Sequence, residues 1–311
     1  MGPLRFIDIV LRGIGQVMFQ NNPVSGLLFF IAVGWGSYAA DVPQVAIGGL
    51  LGVAVATVTA RWLRVDHASL AAGLYGYNAY LVGLALGTFL IPSPLFWVYL
   101  ALAGVVSVPA TLATANVFKT WGVAALTAPF VLTAWLFLLA TYVFTAIDGG
   151  GLPMNAEVTP LDPAAADLLA FGDFVQGVLK SIAQVFLKAS VLAAALLLVG
   201  LAVNSLAAAA FALAGAIVAV VTAHALGAES DLITGGLMGF SPVLTAVALG
   251  AVFYKPGLRV ALYALVATVF TVVVQGAMNV ALTPIGIPTL TGPFVLASWL
   301  FLLPRQHFGQ A

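Results

Sequence analysis

The chain contains no cysteine. Disulfides, thiol catalysis and zinc–thiolate sites are therefore excluded. Charge is nearly as scarce: 6% of the 311 residues are charged, against 63% hydrophobic. A soluble domain carries roughly 25% charged residues. There is too little polar surface to cover a water-exposed globule, so the natural solvent is lipid. Ten basic residues balance ten acidic ones, and no basic cluster points to nucleic acid. Three scattered His and no His-x-x-x-His pattern leave neither a metal cluster nor a nucleophile–base set. We expect no metal, no cofactor and no enzymatic activity. No stretch is large or polar enough for a soluble domain. The N-terminal stretch Leu4–Gln20 carries Asp8 and Arg12 and does not read as a cleavable signal peptide.

What is present is a run of apolar stretches long enough to span a bilayer. They lie at 24–40, 43–60, 69–92, 94–116, 127–146, 189–209, 210–226, 232–254, 257–279 and 290–303. A span needs about 20 mostly apolar residues, with about 17 as the short limit. Ten crossings are expected. The segment L-T-A-P-F-V-L-T-A-W-L-F-L-L at 126–139 recurs as L-T-G-P-F-V-L-A-S-W-L-F-L-L at 290–303, identical at eleven of fourteen positions. The chain is a tandem duplication with an offset of about 164 residues. In so apolar a chain, an internal repeat points to a transport path between the halves.

If Leu4–Gln20 is a re-entrant half-membrane helix, five crossings follow in each half. An odd number inverts one half relative to the other. With both termini cytoplasmic, the cytoplasmic side holds Arg5, Arg12, Arg61, Arg64, Lys119, Lys255, Arg259 and Arg305, eight of the ten basic residues. The outer side holds Asp41, Asp148, Glu157, Asp162, Asp167, Asp173, Glu229 and Asp231, eight of the ten acids. Equivalent loops switch character. Arg61–His67 has two Arg, while His224–Asp231 has none and gains Glu229 and Asp231. Lys180 and Lys188, on the second re-entrant segment, are the exceptions. The stretch 148–173 carries five acids and no bases and reads as an outer loop. The expected organisation is a first membrane repeat over 1–147, an acidic connector over 148–172 and a second repeat over 173–311.

Three elements are paired. Gly13–Gly26 matches Ser181–Ala194 through Ile-x-Gln-Val, pairing Gln16 with Gln184. Gly73–Gly87 matches Gly236–Gly250, pairing Tyr77 with Phe240 and Leu81 with Leu244. The terminal repeat pairs Thr127 with Thr291. Each has a plainer reading. Gly-x-x-Gly in an apolar run also serves close helix packing. Thr-x-Pro fits a Thr N-cap with Pro in the first turn. Aromatics in membrane helices commonly face lipid or the interface. A buried Gln is harder to dismiss, because its amide is costly in hydrocarbon without partners.

The order G-x-G-Q-V-x-F-Q-N-N-P-x-S-G, then G-L-Y-G-Y-N, then L-T-x-P-F-V-L-T-x-W resembles the urea transporter family. The likeness covers essentially the whole chain. It implies an all-α integral membrane protein of two inverted repeats, each with five transmembrane helices and one re-entrant helix. It also implies a homotrimer in the plasma membrane (the inner membrane of a bacterium), one pore per protomer, and passive, channel-like transport of urea. The pore residues it implies are Gln16, Phe19, Tyr77, Leu81 and Thr127, with Gln184, Leu187, Phe240, Leu244 and Thr291. The sequence departs from the pattern in three places. Lys188–Ala194 replaces Asn-Pro-x-Ser-Gly, Leu187 stands where an aromatic would mirror Phe19, and Tyr77 stands where Phe is common.

Urea is planar, neutral and strongly hydrated, with four N–H donors and one carbonyl. A pore must return the hydrogen bonds that hydrocarbon strips, without holding the solute tightly. Phe19, Tyr77, Phe240 and the Leu pair can form a flat apolar slot. Free carbonyls at helix ends, the Gln16 and Gln184 amides and the Thr127 and Thr291 hydroxyls can edge it with acceptors. A slot without a carboxylate rejects cations. Lys188 near the outer mouth adds repulsion, or else snorkels to the interface. Rival readings are a pore for ammonia, water or small amides, for which His67 and His224 are a weak lure, and an ion-coupled transporter. The latter needs buried ionisable groups, and none stands out beyond an i,i+4 pair of Asp8 and Arg12. Partners expected are urea and membrane lipid, with no nucleic acid.

Overall fold

Five helices of the first half begin at, or one residue before, a proline: Pro3, Pro23, Pro43, Pro94 and Pro129. Proline suits the first helical turn, where its missing N–H has no partner to lose. In the computed structural model, which describes residues 2–160, 165–166 and 169–304, every regular element is helical, and no strand occurs among the described residues. Asp162, Asp167 and Arg305 of the charge distribution lie outside the described residues. The chain divides into two compact units. One holds Met1–Phe118 and Ala124–Met154, the other Lys119–Val123 and Asn155–Ala311.

The first unit contains α1 (Pro3–Gln16), α2 (Pro23–Ala39), α3 (Pro43–Trp62), α4 (His67–Ala71), α5 (Tyr77–Phe89), α6 (Pro94–Lys119, whose last residue falls in the second unit) and α7 (Ala128–Ala140). Asn22 caps α2, its Oδ1 accepting from Val24 N at 2.8 Å. Asp66 caps α4, accepting from Ser69 N at 2.8 Å, and those Ser69 hydrogen bonds hold its carboxyl below the usual range. Helices α3 and α5 approach through small residues. A Cβ on Gly83 would stand 2.1 Å from the Gly48 carbonyl oxygen, and one on Gly52 2.3 Å from that of Ala79. Backbones can meet that closely only where side chains are missing.

The second unit repeats the order: α8 (Phe171–Ala183), α9 (Val191–Asn204), α10 (Leu206–Ala225), α11 (Ser230–Thr234), α12 (Phe240–Val247, continued by a π-helical turn to Val252), α13 (Leu258–Leu282) and α14 (Gly292–Leu302). Helix α8 ends in a 3-10 turn over Gln184–Phe186, and the chain bends by 70° into α9.

Both units put apolar side chains outside. Trp35, Val58, Val98 and Leu136 are exposed in the first, and Val199, Leu206, Val266 and Leu300 in the second. Polar Asn78, Ser107, Thr245 and Gln275 are buried. That inversion of the soluble pattern is what lipid as solvent demands.

The apolar stretches do not all become single helices. Among the described residues, four helices are long and apolar enough to cross alone: α3, α6, α10 and α13. The run 189–209 is cut at Ser205, whose Oγ accepts from Ala208 N at 3.1 Å and starts α10. The run 127–146 is helical only to Ala140. The runs 69–92 and 232–254 each split into a five-residue helix, a turn and a longer helix. Helix α1 has 14 residues. At about 1.5 Å per residue that is about 21 Å, short of the roughly 30 Å of bilayer hydrocarbon.

Candidate functional site

In each unit the sequence-paired residues fall at three interruptions of the helices. The first interruption follows α1. Gln16 closes that helix, and its Nε2 donates to the Ala72 carbonyl, the C-cap of α4, at 2.9 Å. Its amide oxygen is thereby turned away from Ala72 and left as the acceptor. Phe19, three residues on, has φ 63°. In the second unit Gln184 Nε2 donates to the Gly235 carbonyl, the C-cap of α11, at 3.1 Å, and Leu187 has φ 55°. A bulky side chain in the left-handed region is a genuine outlier, and such strain clusters at functional sites.

The second interruption lies between the short helix and its successor. Gly73 and Gly236 take φ 75° and 78°. A Cβ at Gly73 would stand 2.3 Å from Gly13 N, and one at Gly236 2.4 Å from the Lys180 carbonyl carbon. Both constraints require glycine. Tyr77 and Phe240 then open α5 and α12, with Leu81 and Leu244 one turn on and fully buried.

The third interruption precedes α7 and α14. Leu126 and Leu290 have φ 55° and 50°, and the next residues, Thr127 and Thr291, are buried. The expected Thr caps are not made: neither hydroxyl accepts from its helix's N-terminal N–H groups. Tyr77 links the second interruption to the third, its hydroxyl donating to the Leu126 carbonyl at 2.5 Å. Phe240 has no hydroxyl and cannot repeat that bond.

All five predicted residues of the first half thus lie in the first unit, and all five of the second half in the second. The first unit has an open cleft of about 410 Å³. It is lined by Arg5, Asp8, Arg12, Asn21, Ala68, Ala71 and Ala72, the last being the residue that holds Gln16. The expected Asp8–Arg12 pair forms, Nε to Oδ2 at 2.9 Å. His67 starts α4 and faces Arg5 Nη2 at 3.0 Å, and His224 lies in the last turn of α10. Lys188 does not snorkel: it is 5% exposed.

A buried polar set behind the interruptions is not among the residues expected from sequence. Asn78 Nδ2 donates to Thr111 Oγ1 at 3.3 Å, and Thr111 to the Ser107 carbonyl at 2.8 Å. In the second unit Thr271 donates to Thr245 Oγ1 at 3.0 Å, and Gln275 to Thr289 Oγ1 at 2.8 Å. The sequence does carry a signal for it: Ser107 and Thr271, like Thr111 and Gln275, are 164 residues apart, the repeat offset itself.

The model of the urea transporter family matches residues 7–306. The chain belongs to the urea transporter family. Among similar proteins is Urea transporter 1 of Ovis aries, 30% identical over 307 residues, covering 96% of this chain and 77% of that one. Urea transporter 1 of Capra hircus is likewise 30% identical over 307 residues, and that of Rattus norvegicus 29% over 303, at the same coverage. Membership of a urea transporter family makes this a multi-pass membrane transporter and not an enzyme.

Proposed function

We propose that the chain conducts urea passively through a narrow apolar slot edged by hydrogen-bond acceptors. The observation that carries this reading is the shared anchoring of Gln16 on Ala72 and Gln184 on Gly235, each followed three residues later by a left-handed Phe19 or Leu187. One N–H of each side chain is used on the protein, which orients the amide and leaves its oxygen as an acceptor for a solute rich in N–H donors. Family membership supports the substrate.

In this reading Phe19, Tyr77, Leu81, Leu187, Phe240 and Leu244 provide the flat walls. The Gln16 and Gln184 amide oxygens, Thr127, Thr291 and the Leu290 carbonyl provide successive acceptors, while the Leu126 carbonyl is taken by the Tyr77 hydroxyl. Urea exchanges its water for these one at a time, so no single site holds it deeply. The two repeats run with inverted topology, the termini are cytoplasmic, and three protomers assemble in the plasma membrane, each with its own path. Ten apolar segments cross, some as broken spans, and α1 and α8 re-enter.

The test is urea efflux from proteoliposomes, with and without pH or sodium gradients, using empty liposomes as control. Fast flux that ignores both gradients is expected. Gln16→Leu and Thr127→Val should cut it at least about tenfold, since a stripped hydrogen bond on a small polar solute is worth over 1 kcal/mol. Flux that follows a gradient would mean ion coupling. Unchanged flux in folded variants would remove those residues from the path.

A further inference from the structure

Lys188 is the one described lysine or arginine of the second unit that is buried, at 5% exposure. Its backbone N–H donates to the Ala183 carbonyl at 3.3 Å, and its side chain has no hydrogen bond or ion pair among the described residues. The described carboxylates of its unit, Glu157, Asp173, Glu229 and Asp231, form no ion pair with it. Both flanks are fixed. Leu187 before it is left-handed at φ 55°, and Ser190 after it caps α9 by accepting from Ala193 N at 3.2 Å. The lysine therefore sits in the elbow between α8 and α9.

The first unit shows what else that elbow can hold. Gln20 follows left-handed Phe19 as Lys188 follows Leu187, and it is 1% exposed. Its Nε2 donates to the Met18 carbonyl at 2.6 Å. The same buried position holds a hydrogen-bonded amide in one unit and a lysine without a side-chain partner among the described residues in the other. A buried charge without a partner costs folding free energy whatever its role, so a lysine kept here calls for a functional account.

We propose that Lys188 is a cation filter, a fixed positive charge beside Leu187 that lets neutral urea pass and turns back planar cations. The proposal rests on the urea-conducting reading above. Guanidinium is the informative competitor. It is flat, close to urea in size and rich in N–H donors, so shape and hydrogen bonding separate it least from urea, and a positive charge adds to the desolvation cost that a slot without a carboxylate already sets against a cation. A unit charge about 8 Å away at an effective dielectric of about 20 lowers a cation's occupancy roughly thirtyfold and leaves a neutral solute nearly untouched.

The test measures guanidinium and urea flux side by side in proteoliposomes. Wild type is compared with Lys188→Gln, which installs the first unit's residue, Lys188→Met, a second neutral variant, and Lys188→Arg, which keeps the charge. Folding is checked by size exclusion. The expected result is a guanidinium-to-urea flux ratio raised about tenfold or more by either neutral substitution and not by Lys188→Arg. An unchanged ratio in a folded neutral variant overturns the filter, as does free passage of guanidinium through wild type. Absence of urea flux in wild type would instead sink the conduction reading and the filter with it, and the wild-type urea trace alone separates the cases.

Discussion

The two units differ most tellingly at single atoms. Tyr77 and Phe240 occupy the same place at the start of α5 and α12, yet only Tyr77 can occupy a carbonyl beside the proposed path, that of Leu126. Removing that hydroxyl with Tyr77→Phe has two opposed effects. It strips a buried acceptor of its donor, which should lower stability by about 1 kcal/mol, read as a lower Tm. It also opens the Leu126 carbonyl to a solute donor, so urea flux should rise. A fall in flux from folded Tyr77→Phe would mean that the hydroxyl itself handles the solute. Residue types and their pairing are readable from the sequence, because duplication repeats polar residues inside apolar runs. Conformation is not. Nothing in composition marks Phe19, Leu126, Leu187 and Leu290 as left-handed, since that region disfavours such side chains and tertiary context imposes it. A lysine stem usually reaches water, which is why sequence alone leaves Lys188 open to the interface as well as to the outer mouth. Here the chain on both sides is pinned, by Leu187 and by the Ser190 cap.

Elements are legible where hydropathy changes and hidden where it does not. The starts of α2, α3 and α6 follow from Pro23, Pro43 and Pro94. The split of 69–92 is invisible in sequence, because the turn between α4 and α5 is as apolar as the helices beside it. Two glycines show what packing needs. Gly83 faces the Gly48 carbonyl, where a Cβ would stand at 2.1 Å, so Gly83→Val must push α5 off α3. Overpacking of this kind costs typically about 1–3 kcal/mol, and more where backbone must move. Gly34 in α2 offers the contrast, because a Cβ added there would meet nothing within 4 Å. Gly34→Ala should therefore stabilise by up to about 1 kcal/mol, through helix propensity alone. Thermal unfolding in detergent compares the two. If Gly83→Val unfolds no earlier than Gly34→Ala, then α3 and α5 are not held by backbone contact.

Among the described residues, seven helices in each unit appear in the same order, α1 to α7 and α8 to α14, with the same three interruptions. Orientation in the bilayer must come from charge. Trp62 at the end of α3 and Leu226 just beyond α10 are 164 residues apart, and both are exposed, at 78% and 65%. Arg61 and Arg64 surround the first, whereas Glu229 and Asp231 follow the second. Basic loops stay cytoplasmic, and acidic ones have no such hold. Equivalent points of the two repeats should therefore face opposite sides of the membrane. The absence of native cysteine makes this directly measurable, because a single introduced thiol is labelled without background. In intact cells, a membrane-impermeant maleimide should label Leu226→Cys and spare Trp62→Cys until the membrane is opened. Labelling of both from the same side would make the repeats parallel. Equivalent residues such as Gln16 and Gln184 would then meet a solute in the same orientation at both ends, and the succession of acceptors along one path would have to be redrawn.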